Sequence, residues 1–151
     1  MDSFSKFFTF EALTHTSHQA QLYRNREEAK QFINAGKRLS KLLESVREVL
    51  GNRPIKVTSG FRGETLNHSI GGATKSKHLK FEAADIVPTH IGVSEAFKIL
   101  MDERDNLPDL RRVIIEKIGG KEWLHVEVKM EPNEKQVFAL IGEDRKYKEV
   151  V

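Results

Sequence analysis

The chain has 151 residues, of which 38% are hydrophobic and 31% charged; its net charge is +3 and it contains no cysteine. This size and composition are typical of one soluble globular domain, so we expect a single domain over residues 1–151. The lack of cysteine excludes disulfides, thiolate metal sites and cysteine nucleophiles. Basic and acidic residues are interleaved, which favours a role of the positive charge in solubility over nucleic-acid binding.

The N-terminal sequence does not have the pattern of a secretory signal peptide. Residues 1–6 lack the basic start and the apolar core of a secretory signal peptide. No stretch approaches the roughly 18 apolar residues of a membrane span. We therefore expect a monomer that is made in the cytoplasm without a signal peptide.

The first 24 residues show no clear periodicity. They contain several phenylalanines between residues 4 and 10, which we expect to pack on the body of the protein. His15 and His18 are interpreted as surface or capping residues rather than as a metal-binding pair.

A long amphipathic helix is predicted next. Asn25, followed by acidic residues, is typical of a helix N-cap. Apolar residues then recur at helical spacing from Phe32 to Leu50, and Gly51 is a typical stop. The apolar stripe of this helix is expected to belong to the core, without a functional role.

The rest of the chain has the pattern of a sheet. A glycine-rich loop is expected at residues 62–72, a short helix capped by Ser94 at residues 95–101, and a tight turn at Gly119-Gly120. Strands are predicted over residues 54–58, 83–87, 112–118, 123–128 and 136–141, the last at an edge of the sheet. A helix followed by mostly antiparallel strands indicates an α+β domain.

The stretch from Ser76 to Val87 carries a histidine and an aspartate, His78 and Asp85, ahead of a β-like run. The two residues are an odd number of positions apart, so in one unbroken strand their side chains would lie on opposite faces. We therefore expect the chain to turn between them, with His78 in a loop and Asp85 at the start of a strand.

A further histidine, His125, lies on the predicted returning strand. Strand alternation places His125 on one face with Trp123 and Glu127, and turns the aliphatic residues of the strand towards the core. Two imidazoles and one carboxylate are a common ligand set for a catalytic zinc ion whose fourth position is open to water. His68 and His90 are interpreted as surface residues.

Three motifs, in this order, resemble the zinc D-alanyl-D-alanine carboxypeptidases and dipeptidases, a family that includes phage L-alanyl-D-glutamate endolysins. They are Ser59-Gly60-Phe61-Arg62, Ser76-x-His78-x6-Asp85 and Glu122-Trp123-Leu124-His125. The resemblance extends over about residues 7–140. It implies a hedgehog/D-Ala-D-Ala peptidase-like fold, with helices packed on a mostly antiparallel sheet, and a Zn²⁺ ion bound by His78, Asp85 and His125.

The resemblance also assigns a general base, Glu122. In a flat strand Glu122 would lie on the opposite face from His125, so this assignment requires a bend after the Gly119-Gly120 turn. Glu127, on the histidine's own face, and Glu116 are the alternatives, since position and reach decide which carboxylate acts.

Three more residues match positions with roles in the family. Arg62 corresponds to the arginine that polarises the scissile carbonyl or holds the substrate; alternatively, Arg62 is a loop arginine in a surface ion pair. Ser76 corresponds to a substrate-contacting serine, which could equally only cap its loop. Trp123 is expected to form a wall of the substrate pocket or part of the core.

The sequence departs from the family at Phe81, where glycine is usual. Glycine there suggests a special backbone angle or a close approach to the metal loop. The leading hypothesis is a zinc peptidase that hydrolyses peptidoglycan peptide bonds, with D,D- or L,D-specificity, encoded by a phage and either released to the cell wall or carried in the virion. The alternative, motivated by Phe81, is a non-catalytic zinc-stabilised structural or binding module, for example of a phage particle.

Overall fold

The computed structural model describes residues 4–151 and shows helices packed on a six-stranded sheet, which confirms the expected α+β architecture. The helices are α1 (Phe10–Leu13), α2 (Leu22–Ala29), α3 (Ile33–Val49), α4 (Glu64–Ser69) and α5 (Val93–Asp102). The strands are β1 (Ile55–Ser59), β2 (Ala83–Pro88), β3 (Leu110–Ile118), β4 (Lys121–Val128), β5 (Val137–Ile141) and β6 (Tyr147–Glu149). Within residues 4–151, no helix has the length and apolarity that crossing a bilayer requires.

The sheet has the strand order β1-β2-β4-β3-β5-β6. Neighbouring strands are antiparallel, except β3 and β5, which are parallel. The predicted hairpin between β3 and β4 is confirmed, because Gly119 and Gly120 both have positive φ angles, +62° and +74°, which only glycine adopts without strain. The order places β2 directly beside β4, and these two strands carry Asp85 and His125.

One face of β4 belongs to the hydrophobic core. Leu124, Val126 and Val128 are buried there, and both α3 and α5 contact this strand. The apolar stripe of α3 supplies the other side of the core, as the helical spacing predicts. Each buried aliphatic side chain contributes about 1.5–3 kcal/mol, so the register of β4 is strongly fixed and the strand's other face is directed away from the core.

The predicted N-cap at Asn25 is wrong, because Asn25 lies buried inside α2. Its side-chain amide donates hydrogen bonds to the carbonyls of Thr14 (2.9 Å) and Phe61 (3.0 Å). Its carbonyl oxygen accepts the main-chain N–H of Gly63 at 2.8 Å. Asn25 therefore provides hydrogen-bond partners for buried main-chain groups of two loops, which would otherwise be left unpaired at a cost in stability.

The secondary structure also differs from the prediction in four places. A 3₁₀ turn, Lys30–Phe32, separates α2 from α3, so the long helix is interrupted. Helix α4 occupies part of the expected glycine-rich loop, and α5 begins at Val93 after Gly92 rather than after a Ser94 cap. Strand β5 is not at an edge, because β6 pairs with it.

Phe81 has the special backbone angle that the usual glycine suggests, with φ +62°. It follows the 3₁₀ turn Lys77–Lys80 in a left-handed conformation, and its side chain is fully buried. The ring packs on Phe61, with ring centres 5.3 Å apart, and on Gly36 of α3. Phe81 therefore belongs to the core rather than to the surface around the histidines.

Gly36→Ala is expected to destabilise the protein by about 1–3 kcal/mol, the usual cost of overpacking a core. A Cβ atom at Gly36 would lie 2.7 Å from Cε2 of Phe81, whose ring is enclosed on all sides. Gly142→Ala is the control, since its Cβ would meet nothing nearer than 3.9 Å. Denaturant unfolding of both variants measures the difference, and equal stabilities would contradict this account of Phe81.

Candidate metal centre and active site

Three predicted ligands come together at one place in the fold. His78 lies in the 3₁₀ turn Lys77–Lys80, whereas Asp85 and His125 lie opposite each other on β2 and β4. One ligand atom from each of the three residues lies within 4.8 Å of the other two. The turn that the odd spacing of His78 and Asp85 requires is therefore present.

A hydrogen bond fixes the tautomer of His78. Its Nδ1 lies 2.7 Å from the main-chain oxygen of Gly60, and a carbonyl oxygen only accepts, so Nδ1 carries the proton. In the neutral ring the other nitrogen, Nε2, carries the lone pair that a metal would bind, and it lies 3.3 Å from Oδ1 of Asp85. Because His78 is almost completely buried, this orientation is also fixed by packing.

His125 faces Asp85 with its Nδ1 atom, whereas His78 does so with Nε2. Nε2 of His125 lies 2.8 Å from Oε2 of Glu127, and its Nδ1 lies 3.1 Å from Oδ1 of Asp85. Glu127 is itself held by Arg111, whose Nη1 donates to Oε1 at 2.9 Å. A carboxylate that accepts the second N–H of a histidine is the usual support of a metal ligand, so Glu127 orients His125.

The charges of the three residues are strongly coupled. Burial raises the pKa of Asp85, but the charge of His78 and the hydrogen bonds from both histidines outweigh it, so the pKa lies far below its ordinary value. Burial lowers the pKa of His125, but hydrogen bonds to Asp85 and Glu127 outweigh it and raise the pKa to about 9. Asp85 is thus anionic throughout the physiological range.

The donor set fits zinc. One carboxylate oxygen and two imidazole nitrogens, Nε2 of His78 and Nδ1 of His125, converge on one point. Three protein ligands of this kind leave one position of a tetrahedral zinc ion free for water or substrate. Zn²⁺ is therefore the cofactor that these residues fit, as predicted.

Zinc binding at about pH 7.5 is expected to release close to one proton, because Nδ1 of His125 must lose its proton before it can bind a metal. The pKa of about 9 in the metal-free protein makes this proton measurable. In the absence of metal, the raised pKa of His125 means that its protonation stabilises the fold. This stabilisation is fully present below about pH 6.5 and is lost as the pH rises through about 9. Calorimetric zinc titrations in buffers of different ionisation enthalpy count the protons. Glu127→Gln should release fewer protons on zinc binding. If the parent releases no proton, the assignment of His125 as a metal ligand is contradicted.

The candidate ligands lie in a cleft of about 420 Å³. Its walls come from β2, β3 and β4 and from the loop that precedes His78. The other side chains that line it are cationic (Arg62, Lys75, Lys77, Arg111 and Arg112), acidic (Glu116 and Glu127), or uncharged (Ala73, Ser76, Ile114 and Trp123). The cleft is thus a polar site lined by five arginines and lysines and, with Asp85, by three carboxylates.

The structure places Arg62, Ser76 and Trp123 in this cleft, as the resemblance implies. The Ser76 hydroxyl accepts the main-chain N–H of His78 at 3.1 Å and lies 3.5 Å from Nη2 of Arg62. Nε of Arg62 is buried and has no hydrogen-bond partner within residues 4–151. Nε1 of Trp123 is also buried, and its neighbour is the carboxylate of Glu116.

The structure does not bring Glu122 to the ligands. Glu122 pairs in register with Lys117 in an unbroken part of the β3–β4 ladder, so the bend that its assignment requires is missing. Its side chain is 46% exposed, lies 3.8 Å from Lys117 and does not line the cleft.

Glu116, on β3, does line the cleft. It forms no ion pair within residues 4–151, and the indole of Trp123, opposite it in the β3–β4 register, is its hydrogen-bonding neighbour. Burial raises the pKa of Glu116, and the nearby charge of Asp85 raises it further. Together they outweigh the charge of His125, the hydrogen bond from Trp123 and the charge of Arg62, which lower the pKa. Glu116 is thus a carboxylate close to the metal ligands that has no ion-pair partner within residues 4–151.

The remaining histidines lie outside the ligand group. His68 and His90 are exposed, as predicted. His15 and His18 are also exposed and border a small groove that shares Arg62 and Asp85 with the cleft. The sequence analysis did not predict a role for Arg111 and Arg112, although these two adjacent arginines stand at the start of a predicted strand.

Comparison with known proteins agrees with this site. A family model described as Peptidase M15 matches residues 8–106, more than half of the chain, and includes His78 and Asp85. A stretch of 44 residues is 43% identical to the zinc D-Ala-D-Ala carboxypeptidase of Streptomyces albus G, covering 29% of this chain and 17% of that relative. The chain therefore belongs to the peptidase M15 family.

Proposed function

We propose that the protein is a zinc metallopeptidase that hydrolyses peptide bonds of peptidoglycan, in stem peptides or cross-bridges. The observation that carries the proposal is the convergence of His78, Asp85 and His125 on one point, with tautomers fixed by Gly60 and Glu127. The cleft around them leaves that point accessible to a ligand.

The chain's own residues supply the rest of the reaction. When bound, zinc would polarise the scissile carbonyl and lower the pKa of a water molecule to about 7. Arg62, a fixed cation with an unpaired buried Nε, favours the negative charge that develops on the carbonyl oxygen. Its main-chain N–H donates to the carbonyl of His78 at 3.1 Å, which ties its position to that of a ligand.

Glu116 is proposed as the general base, in place of Glu122. A base must lie within hydrogen-bonding reach of the water that it deprotonates, directly or through one water. Glu122 lies outside the cleft, and both oxygens of Glu127 are occupied by His125 and Arg111. The Glu116 carboxylate is free to take the proton and to pass it to the leaving amine.

The substrate class follows from the family resemblance and the relative. The Streptomyces albus G protein is named for cleavage of D-Ala-D-Ala, which is the end of a peptidoglycan stem peptide. We extend this class to the present chain as part of the proposal, with a role in cell-wall degradation by a phage, either after release or from the virion.

The position of Phe81 gives no support to the alternative hypothesis of a non-catalytic, zinc-stabilised module. Its ring fills the core between Gly36 and Phe61, and it does not line the cleft. The substitution of glycine by phenylalanine at this position therefore leaves the cleft around the ligands unobstructed.

Mass spectrometry of purified peptidoglycan after incubation with the zinc-loaded protein tests the proposal and identifies the bond. We expect new peptide termini at one type of bond, D-Ala-D-Ala, L-Ala-D-Glu or a cross-bridge amide. They should be absent after treatment with a chelator and return when zinc is added. Intact fragments in every zinc-loaded sample would overturn the proposal.

A further inference from the structure

One wall of the cleft presents more positive charge than its acids neutralise. Arg111 and Arg112 lie near the start of β3, and Lys75 and Lys77 lie in the loop that leads to His78. All four side chains line the cleft that contains the metal ligands. A cleft with walls of one sign attracts ligands of the opposite sign.

Arg112 is the arginine in this wall that forms no side-chain hydrogen bond within residues 4–151, and the exposed Lys75 of the same wall is also unpaired within these residues. Arg111 is paired with Glu127 and Glu134. Arg112, in contrast, forms no side-chain hydrogen bond within residues 4–151, and its Nε is buried. The carboxylate oxygen that comes within ion-pair distance, Oε1 of Glu127, is 3.9 Å away and already accepts from Arg111.

The side chain of Arg112 is nevertheless held in a defined place. Its guanidinium carbon lies 5.5 Å from the centre of the Tyr147 ring on β6, and its side chain is only 28% exposed. An aromatic face restrains a guanidinium without using its N–H groups. Arg112 thus offers a positioned, planar set of donors, which matches a carboxylate in shape and charge.

The sheet register places the backbone of Arg112 two residues along β3 from the position beside His125. Nε of Arg112 lies 3.9 Å from Oε1 of Glu127, and the other oxygen of Glu127 lies 2.8 Å from Nε2 of His125. Arg112 pairs with Glu127, whereas Ile114 pairs with His125. Two strand residues correspond to about 7 Å, which is also the length of about two residues of an extended peptide. A group bound at Arg112 would therefore belong to a residue close to the scissile bond.

We propose that Arg112, with Lys75 and Lys77, binds a free carboxylate of the substrate within about two residues of the scissile bond. This inference rests on the proposed function, and it makes Arg112 a specificity-determining residue. Two sources supply such a carboxylate in peptidoglycan peptides. One is the C-terminus of D-Ala-D-Ala, and the other is the α-carboxylate of a γ-linked D-glutamate.

Two matched pairs of peptides test the proposal with the zinc-loaded protein of residues 1–151. The first pair ends in D-Ala-D-Ala as the free acid or as the amide. The second pair contains L-Ala linked to D-glutamate or to D-isoglutamine. We expect the parent to prefer the acid in one pair by about 10- to 100-fold in KM, the worth of a charged hydrogen-bonded pair, and that pair identifies the source.

Arg112→Met should abolish this preference by raising KM for the acid, with little change for the amide. Arg112→Lys should restore part of it, because the charge remains while the planar donors are lost. Arg53→Met, at an exposed position before β1, is the control and should keep the full preference. A preference that persists in Arg112→Met, or equal use of acid and amide by the parent in both pairs, would overturn the proposal.

Calorimetric binding of the same peptides separates this inference from the proposed function. If the parent cleaves neither these peptides nor purified peptidoglycan, the proposed function fails, but acid-selective binding that disappears in Arg112→Met would still support the carboxylate site. Binding without acid selectivity would overturn it. Thermal unfolding of each variant confirms that the comparison is made between folded proteins.

Discussion

His78→Ala is expected to lose stoichiometric zinc and to lower kcat/KM by more than about 100-fold. Removal of a residue that only hydrogen-bonds to a metal ligand costs up to about 100-fold, and removal of the ligand itself should cost more. His78 supplies one of three ligand atoms, and it is almost completely buried. Its loss leaves one carboxylate and one imidazole, too few for a stable catalytic zinc site. Zinc content by elemental analysis and the rate of hydrolysis of purified peptidoglycan measure the two effects.

Glu127→Gln provides the comparison for His78→Ala. Glutamine keeps the volume of Glu127 and one hydrogen bond to Nε2 of His125, but it removes the charge that favours the bound orientation. We expect zinc affinity or activity to fall by about 10- to 100-fold, and excess zinc should restore much of the activity. Parental zinc content and activity in His78→Ala would show that the metal site is misassigned, as would undiminished clearing of cell walls.

The metal ligands could be predicted from the sequence because local periodicity constrains them. The odd separation of His78 and Asp85 requires a turn, and the structure has a 3₁₀ turn there. The aliphatic alternation of β4 turns His125 away from the core, and burial of Leu124 confirms it. These inferences needed only the period of a strand, and the family resemblance supplied which residues meet.

The rest of the site depends on pairing between strands that are distant in the chain. Strand alternation alone puts Glu116 and Glu122 on definite faces of their own strands, but it does not tell which face of β3 adjoins the ligands. That information comes from the register, in which Glu116 lies opposite Trp123. The same holds for Arg112, whose partner Tyr147 lies on a strand that the sequence did not predict. Asn25 was misplaced because its partners are loop carbonyls.

Glu116→Gln is expected to reduce kcat by about 10²–10⁴-fold, the usual contribution of a general base. The substitution keeps the shape of the side chain but removes its capacity to take a proton. Because Glu116 is not among the three candidate ligands, zinc content should stay at the parental level. The variant thus separates loss of proton transfer from loss of metal, which His78→Ala does not do.

Glu122→Gln is the matched control, because it makes the same chemical change on the neighbouring strand. Its side chain is half exposed and faces Lys117, so we expect a rate within a few-fold of the parent. The pH profile adds a readout that a structural role would not produce: the fall of kcat/KM at low pH, where a carboxylate base becomes protonated, should be lost in Glu116→Gln and kept in Glu122→Gln. The reverse result would return the role of base to Glu122 and would require β4 to bend when substrate binds.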